Sequence, residues 1–354
     1  MRNFFNALNV LASIGLVMLI NPAQAATKVI DILAVYTKGA ADVYQGDPST
    51  RINQLFQVTN QIYQDSGLDI EIRLVKTMMV DYTDDNSGDA ALHDITYAQN
   101  EAFKDVAKVR EQVKADMVIL YRPFTSAQGS CGQAWIVGEG SNGDFSNPDY
   151  KNFMYSHIPL NSCGDFSTAH ELGHNMGLKH SRRQDGAGAV FPFAVGYGVD
   201  NQFATVMAYQ SSFNVDYWDG KVYKFSSPEL SCKGQPCGID RTDAVNGADD
   251  RYAISITAPQ IADYYSEQTT SSSSSSVSSS SISSVSSSIV SSVSSSSVAS
   301  SVASSIVTVQ KPVESTPSSG GGSGGGGGGS SSIFLLVLML AGLFMRRPSV
   351  VAVN

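Results

Sequence analysis

Residues 29–36 (VIDILAVY) are apolar with few interruptions, the pattern of a buried strand. Residues 49–66 place Ile52, Leu55, Phe56, Val58, Ile62 and Tyr63 mostly at helical spacing. Residues 69–80 alternate through Ile70, Ile72 and Leu74, as a strand with one buried face does. Residues 97–113 read as a second helix, 116–121 (DMVILY) as a short buried strand and 133–137 as a further one. Strand, helix, strand, helix, strand is the order of a crossover sheet, so the front half is predicted to be α/β.

The pattern changes at both ends. Met1-Arg2-Asn3, an apolar stretch over residues 10–20 and Pro22-Ala23-Gln24-Ala25 form a charged start, an apolar core and a small-x-small site. This predicts a secretory signal peptide over residues 1–25, cut after Ala25. The competing reading is an uncleaved anchor. Residues 26–268 are long enough for one well-buried domain, split by a cleft. The first predicted strand follows Ala25 so closely that no prodomain is expected. Residues 269–319 are dominated by serine and read as a disordered stalk. Residues 320–354 hold a glycine tract, the apolar run IFLLVLMLAGLFM, then Arg346-Arg347 and a short tail. That run is shorter than the roughly 20 residues of a spanning helix. Stalk, glycines, short apolar helix and basic pair resemble the GlyGly-CTERM sorting signal of Gram-negative bacteria. The resemblance implies export by secretion machinery, transient anchoring by the C-terminal helix and processing by a rhombosortase-type protease. It also implies an extracellular or cell-surface location. Membrane contact is expected through the C-terminal segment alone, and the competing reading is a plain membrane anchor.

Export alters the reading of the cysteines. Four cysteines in an exported chain predict two disulfides, with three pairings open. Cys232 and Cys237 could close a tight loop, and Cys131 with Cys163 would then close a longer one. A cysteine metal site is the rival reading, but no CxxC pair supports it. The net charge of −9 over 354 residues argues against a nucleic-acid surface.

Three of the five histidines fall within eleven residues, in HELGHNMGLKH. On a helix, His170 and His174 share a face and can offer ring nitrogens to one metal ion. Glu171 stands beside them, placed to accept a proton from water. Gly177 can take the positive-φ turn that ends the helix, so His180 can return to the same metal. Three neutral imidazoles with an open fourth position are a catalytic zinc arrangement. Zinc activates a water, and a carboxylate at position 171 would serve as general base for amide hydrolysis. The bland alternative is a polar helix with surface histidines, where five fixed positions in HExxHxxGxxH would be chance. His93 and His157 lie outside the pattern and read as ordinary histidines.

HELGHNMGLKH resembles the extended zinc motif of the metzincin metalloendopeptidases. The resemblance implies an α/β (α+β) fold: a twisted mixed sheet with helices, an active-site helix and a smaller C-terminal subdomain across a cleft. It implies one catalytic Zn2+ on His170, His174 and His180. Ala204-Thr205-Val206-Met207-Ala208-Tyr209 then supplies the methionine turn, with Met207 beneath the metal. Tyr209 matches a tyrosine that ligates zinc or steadies the oxyanion in some branches; a core tyrosine is the alternative. Cys131-Gly132-Gln133-Ala134-Trp135 and Cys163 resemble the reprolysin/ADAM-type domain, which implies the Cys131–Cys163 pairing. Residues 132–138 would form an edge strand over the cleft, able to pair with an extended peptide. Those enzymes usually have Asp after the third histidine, where this chain has Ser181. The segments at 225–228 and 258–262 resemble bacterial reprolysin-like peptidases, including the peptidyl-Asp type.

The expected function is a secreted or surface-associated zinc metalloendopeptidase acting on proteins or peptides. One alternative is an inactive surface adhesion module on a peptidase fold. Another is a zinc hydrolase of non-protein amides. Retention of Glu171 and all three histidines favours the first. Lys179, Arg182 and Arg183 either favour acidic substrates or are solvated charges at a helix exit. The acidic clusters at 81–85 and 243–250 lack the regular spacing of a calcium loop, so calcium stays unassigned.

Overall fold

The computed structural model describes residues 27–265 and 351–352. The signal-peptide, stalk, glycine-tract and apolar-helix expectations lie outside the described residues. Among the described residues no helix is long and apolar enough to cross a membrane.

The front half runs β1 (Lys28–Thr37), α1 (Lys38–Val43), α2 (Ser49–Asp65), β2 (Ile70–Val80), α3 (Gly88–Tyr97), α4 (Val106–Val113), β3 (Met117–Arg122), β4 (Gln133–Ile136) and β5 (Tyr155–Pro159). β1 pairs in parallel with both β2 and β3, and β3 pairs in parallel with β5. β4 runs antiparallel to β5. The sheet is therefore mixed, as the metzincin resemblance implies. Every residue of β3 is buried, which is why Met117–Tyr121 reads as an apolar run. α2 buries Ile52, Leu55, Phe56, Thr59, Ile62 and Tyr63. Its Asn60 amide pairs with both the N–H and the carbonyl of Ile72, at 2.8 and 3.0 Å. That contact pins the helix to the outer strand.

The helix expected over 97–113 is broken. Ser87 caps α3 by accepting from Ala90 N–H at 3.1 Å, and Ala98 ends it in the left-handed region at φ 49°. Asn100 then caps a short 3-10 turn, Glu101–Phe103, and α4 begins only at Val106. Caps and a left-handed residue override the apolar spacing here.

β4 also departs from expectation. It is not the free edge of the sheet, because a two-residue strand, β10 (Val351–Ala352), pairs antiparallel with Trp135 and Ile136. An edge strand offers a row of unpaired donors and acceptors, and another stretch of backbone satisfies them.

α5 (Ser167–Asn175) lies against β4 and β5. Asn175 ties it there, donating to Trp135 O at 3.0 Å and Tyr155 O at 3.1 Å. Beyond α5 the chain is mostly loop. It carries α6 (Arg182–Asp185), the pairs β6 (Gly198–Val199) with β7 (Phe203–Ala204) and β8 (Ser231–Cys232) with β9 (Gln235–Pro236), and α7 (Asp250–Ile261). This is the smaller C-terminal part. Phe203, Cys232 and Cys237 form a small core of their own. α7 returns Ala253, Ile254, Ala258 and Ile261 to the main core.

Both disulfides form: Cys131–Cys163 and Cys232–Cys237. The first closes a 32-residue separation, worth about 3–4 kcal/mol in the chain-entropy model. The Cys131→Ala/Cys163→Ala double variant is expected to lose about that much stability, measured by urea unfolding of oxidised protein. A loss under about 1 kcal/mol would refute the assignment of a structural role.

A buried carboxyl lies at the start of β3. Burial pushes Asp116 up to about 7, against the opposing hydrogen bond from Asp31 N–H at 2.8 Å. The folded state thus holds a proton that the unfolded chain has already released near pH 4. Stability from this group is present below about pH 4 and is lost as pH rises toward 7. Asp116→Asn keeps the acceptor without the charge. Its stability relative to wild type is expected to improve between pH 5 and pH 8 in urea titrations; a difference independent of pH would contradict this.

Candidate active site

All nine residues of α5 are buried, so the histidine helix runs through the interior rather than along the surface. Gly177 ends the turn that follows α5 at φ +93°. A side chain there would meet Val190 Cβ at 2.6 Å as well as adopt a strained backbone. The chain reverses and His180 comes back to face His170 and His174. Ligand atoms of the three rings lie within 4.8 Å of one another.

Each ring is oriented by an acceptor at Nδ1. His170 Nδ1–H donates to Val206 O at 2.9 Å, and His174 Nδ1–H to Leu178 O at 2.9 Å. A carbonyl only accepts, so these nitrogens carry the hydrogens and Nε2 is left with a free lone pair. His180 Nδ1 faces Asp185 Oδ2 at 3.0 Å, and His180 Nε2 is buried without any partner. Such orientation by acceptors on the far nitrogen is what metal-binding histidines require. Burial first, then the neighbouring rings and Lys221, hold His170 well below its ordinary pKa. Burial and His180 bring His174 down to about 3. Neutral rings with converging lone pairs fit a zinc ion. Among the described residues this is the one group of three or more His, Cys, Asp or Glu with converging ligand atoms.

Nothing in the sequence pattern singles out Asp185. Ser181 caps α6 in a capping box with Gln184, and that short helix carries Asp185 back to His180. Its carboxylate also accepts from His180 N–H at 2.8 Å. Burial alone would raise Asp185, but hydrogen bonds from the His180 ring and backbone N–H keep it below the usual carboxylate range.

Glu171 is buried beside the triad, and burial pushes its carboxyl well above the usual range. It lies against the backbone of Gly132, where a Cβ would come within 2.1 Å of Glu171 Oε1. The neighbouring Cys131–Cys163 bridge ties this backbone to the segment before α5. Beneath the site, Met207 is fully buried, and its Sδ would stand 2.7 Å from a Cβ at Gly173. Residue 173 must be small for the turn at Met207 to pack under the helix.

A family description, metallo-peptidase family M12 (Reprolysin_5), matches residues 26–219. The chain belongs to this metallopeptidase family. It is 33% identical over 263 residues to the peptidyl-Asp metalloendopeptidase of Pseudomonas aeruginosa, covering 68% of this chain and 41% of that protein. It is 24% identical over 212 residues to the peptidyl-Asp metalloendopeptidase of Xanthomonas campestris pv. campestris, covering 59% of this chain and 46% of that protein. The chain thus spans less than half the length of these curated relatives. A chain from a solved structure described as "Structure of a chaperone-substrate complex" shares the fold at a TM-score of 0.51 and 20% identity, over 68% of this chain and 35% of that one.

In this M12 member a cleft of about 420 Å³ opens beside His170 and Glu171. Gly132, Phe166, Tyr209, Val215 and Tyr217 line it. Tyr209 is not a core residue: it is 39% exposed, with its ring 4.4 Å from that of His180. Burial of its hydroxyl end, with the nearby Glu171 and Asp185 charges, raises it to about 12, so it stays protonated and able to donate.

The three cations near the motif do not face this cleft freely. Lys179 pairs with Glu139 at 2.7 Å. Arg182 donates to the carbonyls of Gly247, Gly186 and Pro192, and Arg183 pairs with Asp200. Of the acidic residues read as calcium candidates, Asp84 accepts from Thr37, Asp243 from Val245 and Asn246 N–H, and Asp249 from Arg241. His157 is fully buried and accepts from Arg122 Nε at 2.9 Å, while His93 packs on Trp135.

Proposed function

We propose that this chain is an exported zinc endopeptidase that hydrolyses peptide bonds with Glu171 as general base. The observation that carries the reading is the convergence of His170, His174 and His180, each with Nδ1 held by an acceptor, beside a buried carboxyl at the cleft. The three Nε2 atoms would hold the zinc. Bound there, zinc supplies Lewis acidity, polarising a carbonyl oxygen and lowering the pKa of a water to about 7.

The chain's own groups do the rest. Glu171 takes a proton from the attacking water and returns it to the leaving amine. Tyr209 stands over the histidines as a neutral donor toward the oxyanion. The backbone at Gly132, short of the β4 residues that pair with β10, lies beside the cleft and offers an extended substrate a place to pair. Residues 1–25 serve export and residues 320–354 sorting, which makes the enzyme secreted or surface-held.

Incubating the purified protein with unfolded casein and mapping the cuts by mass spectrometry tests the proposal. Internal cuts that stop after zinc removal are expected, and bonds next to aspartate are the first to inspect because the relatives are named for them. Zinc binding without any cut in casein or in an aspartate-rich peptide library would favour the adhesion-module alternative.

A further inference from the structure

Lys221 is a buried lysine without a carboxylate; burial lowers its pKa to about 7, while three acceptor carbonyls favour its charged form. It is 7% exposed, and among the described residues no ion pair includes it. Its ammonium instead donates to three backbone carbonyls: Thr205 O at 3.1 Å, Val206 O at 3.2 Å and Ala208 O at 2.6 Å. The fourth side is closed by the Phe166 ring, with Nζ 4.4 Å from its centroid. A lysine has three donors, and all three are spent on the turn that carries Met207.

The placement of those carbonyls gives the contact its meaning. Two precede Met207 in the chain and one follows it, so a single ammonium cinches the turn from both sides. One of them, Val206 O, also accepts from His170 Nδ1–H at 2.9 Å. The ammonium is thus one carbonyl away from the ring of a zinc ligand. The strand-like segment around it holds the same turn: Ala204 N–H donates to Gly220 O, Val222 N–H to Ala204 O and Val206 N–H to Lys224 O. These backbone bonds already suffice to pair the two segments. Burying a charge between them is costly, and a neutral apolar residue would fill the space without that cost.

We infer that Lys221 is a positioning residue for the active site, fixing Val206 O and through it the orientation of His170 toward the metal. The inference rests on the reading of His170, His174 and His180 as zinc ligands. Groups one step outside the ligands typically change metal affinity or activity 10–100-fold when removed.

Lys221→Met in the full chain tests it, because Met matches the length and apolar stem without the donors. Zinc affinity is read by competition with a chelator, kcat and KM on a peptide substrate, and thermal stability on the zinc-free protein. The expected result is a zinc dissociation constant raised about 10–100-fold and a lower kcat with KM within about threefold. A folded Lys221→Met protein with wild-type zinc affinity and kcat would overturn the inference, whatever its thermal stability, and leave Lys221 as packing. If Lys221→Met does not fold, Lys221→Arg decides: its planar fork cannot reproduce three donors from one nitrogen. A shifted visible spectrum of the cobalt-substituted Lys221→Arg protein supports the role, and a wild-type spectrum overturns it. Failure of the wild type itself to bind zinc would bring down the ligand reading and this inference together.

Discussion

Glu171→Gln is expected to lower kcat/KM on unfolded casein by about 10²–10⁴-fold while the purified protein keeps one zinc. The substitution preserves the size of the side chain and removes its ability to hold the transferred proton. The carboxyl is buried at the cleft beside the three histidines. The ligand rings are oriented by Val206 O, Leu178 O and Asp185, none of which the change touches. Loss of activity with retained zinc therefore separates proton transfer from metal binding. Wild-type turnover in Glu171→Gln would remove Glu171 from the mechanism.

Gly132→Ala is expected to reduce kcat by about 10²-fold, the scale of a displacement near 1 Å in a catalytic group, again with zinc retained. An ideal Cβ at 132 would stand 2.1 Å from Glu171 Oε1, 2.5 Å from Cδ and 2.6 Å from Cγ. All three contacts fall on the side chain that moves the proton, so the carboxyl must shift away from its place beside the triad. Steady-state kinetics with zinc analysis checks this. Unchanged kcat would mean that Glu171 reaches its working position by another route.

Much of this site was legible because its chemistry fixes spacing. HExxHxxGxxH specifies a helix, a left-handed turn and a returning ligand, and Gly177 at φ +93° supplies the turn. β1 and β3 were legible as apolar runs buried on both sides, and α2 and β2 because each buries a regular face. α3 was not, because its start rests on Ser87 and its end on the conformation of Ala98, neither of which alters apolar spacing. β5 was hidden by polar residues: Ser156 and His157 are fully buried, and Arg122 satisfies His157. Asp185 and Lys221 were invisible for the same reason. A polar residue in sequence gives no sign of which distant carbonyl or ring it will meet. Glycine at 132 is ordinary in sequence, and only the packed position of Glu171 shows why a side chain cannot stand there.

Zinc-dependent peptide hydrolysis is tested most directly by casein cleavage with the purified full chain, measured as isolated, after zinc removal by chelator dialysis, and after zinc is restored. Internal cleavage is expected to disappear with the metal and to return with about one zinc per chain. Hydrolysis that persists undiminished in the metal-free protein would contradict that expectation, as would a zinc-loaded protein that cuts no peptide bond.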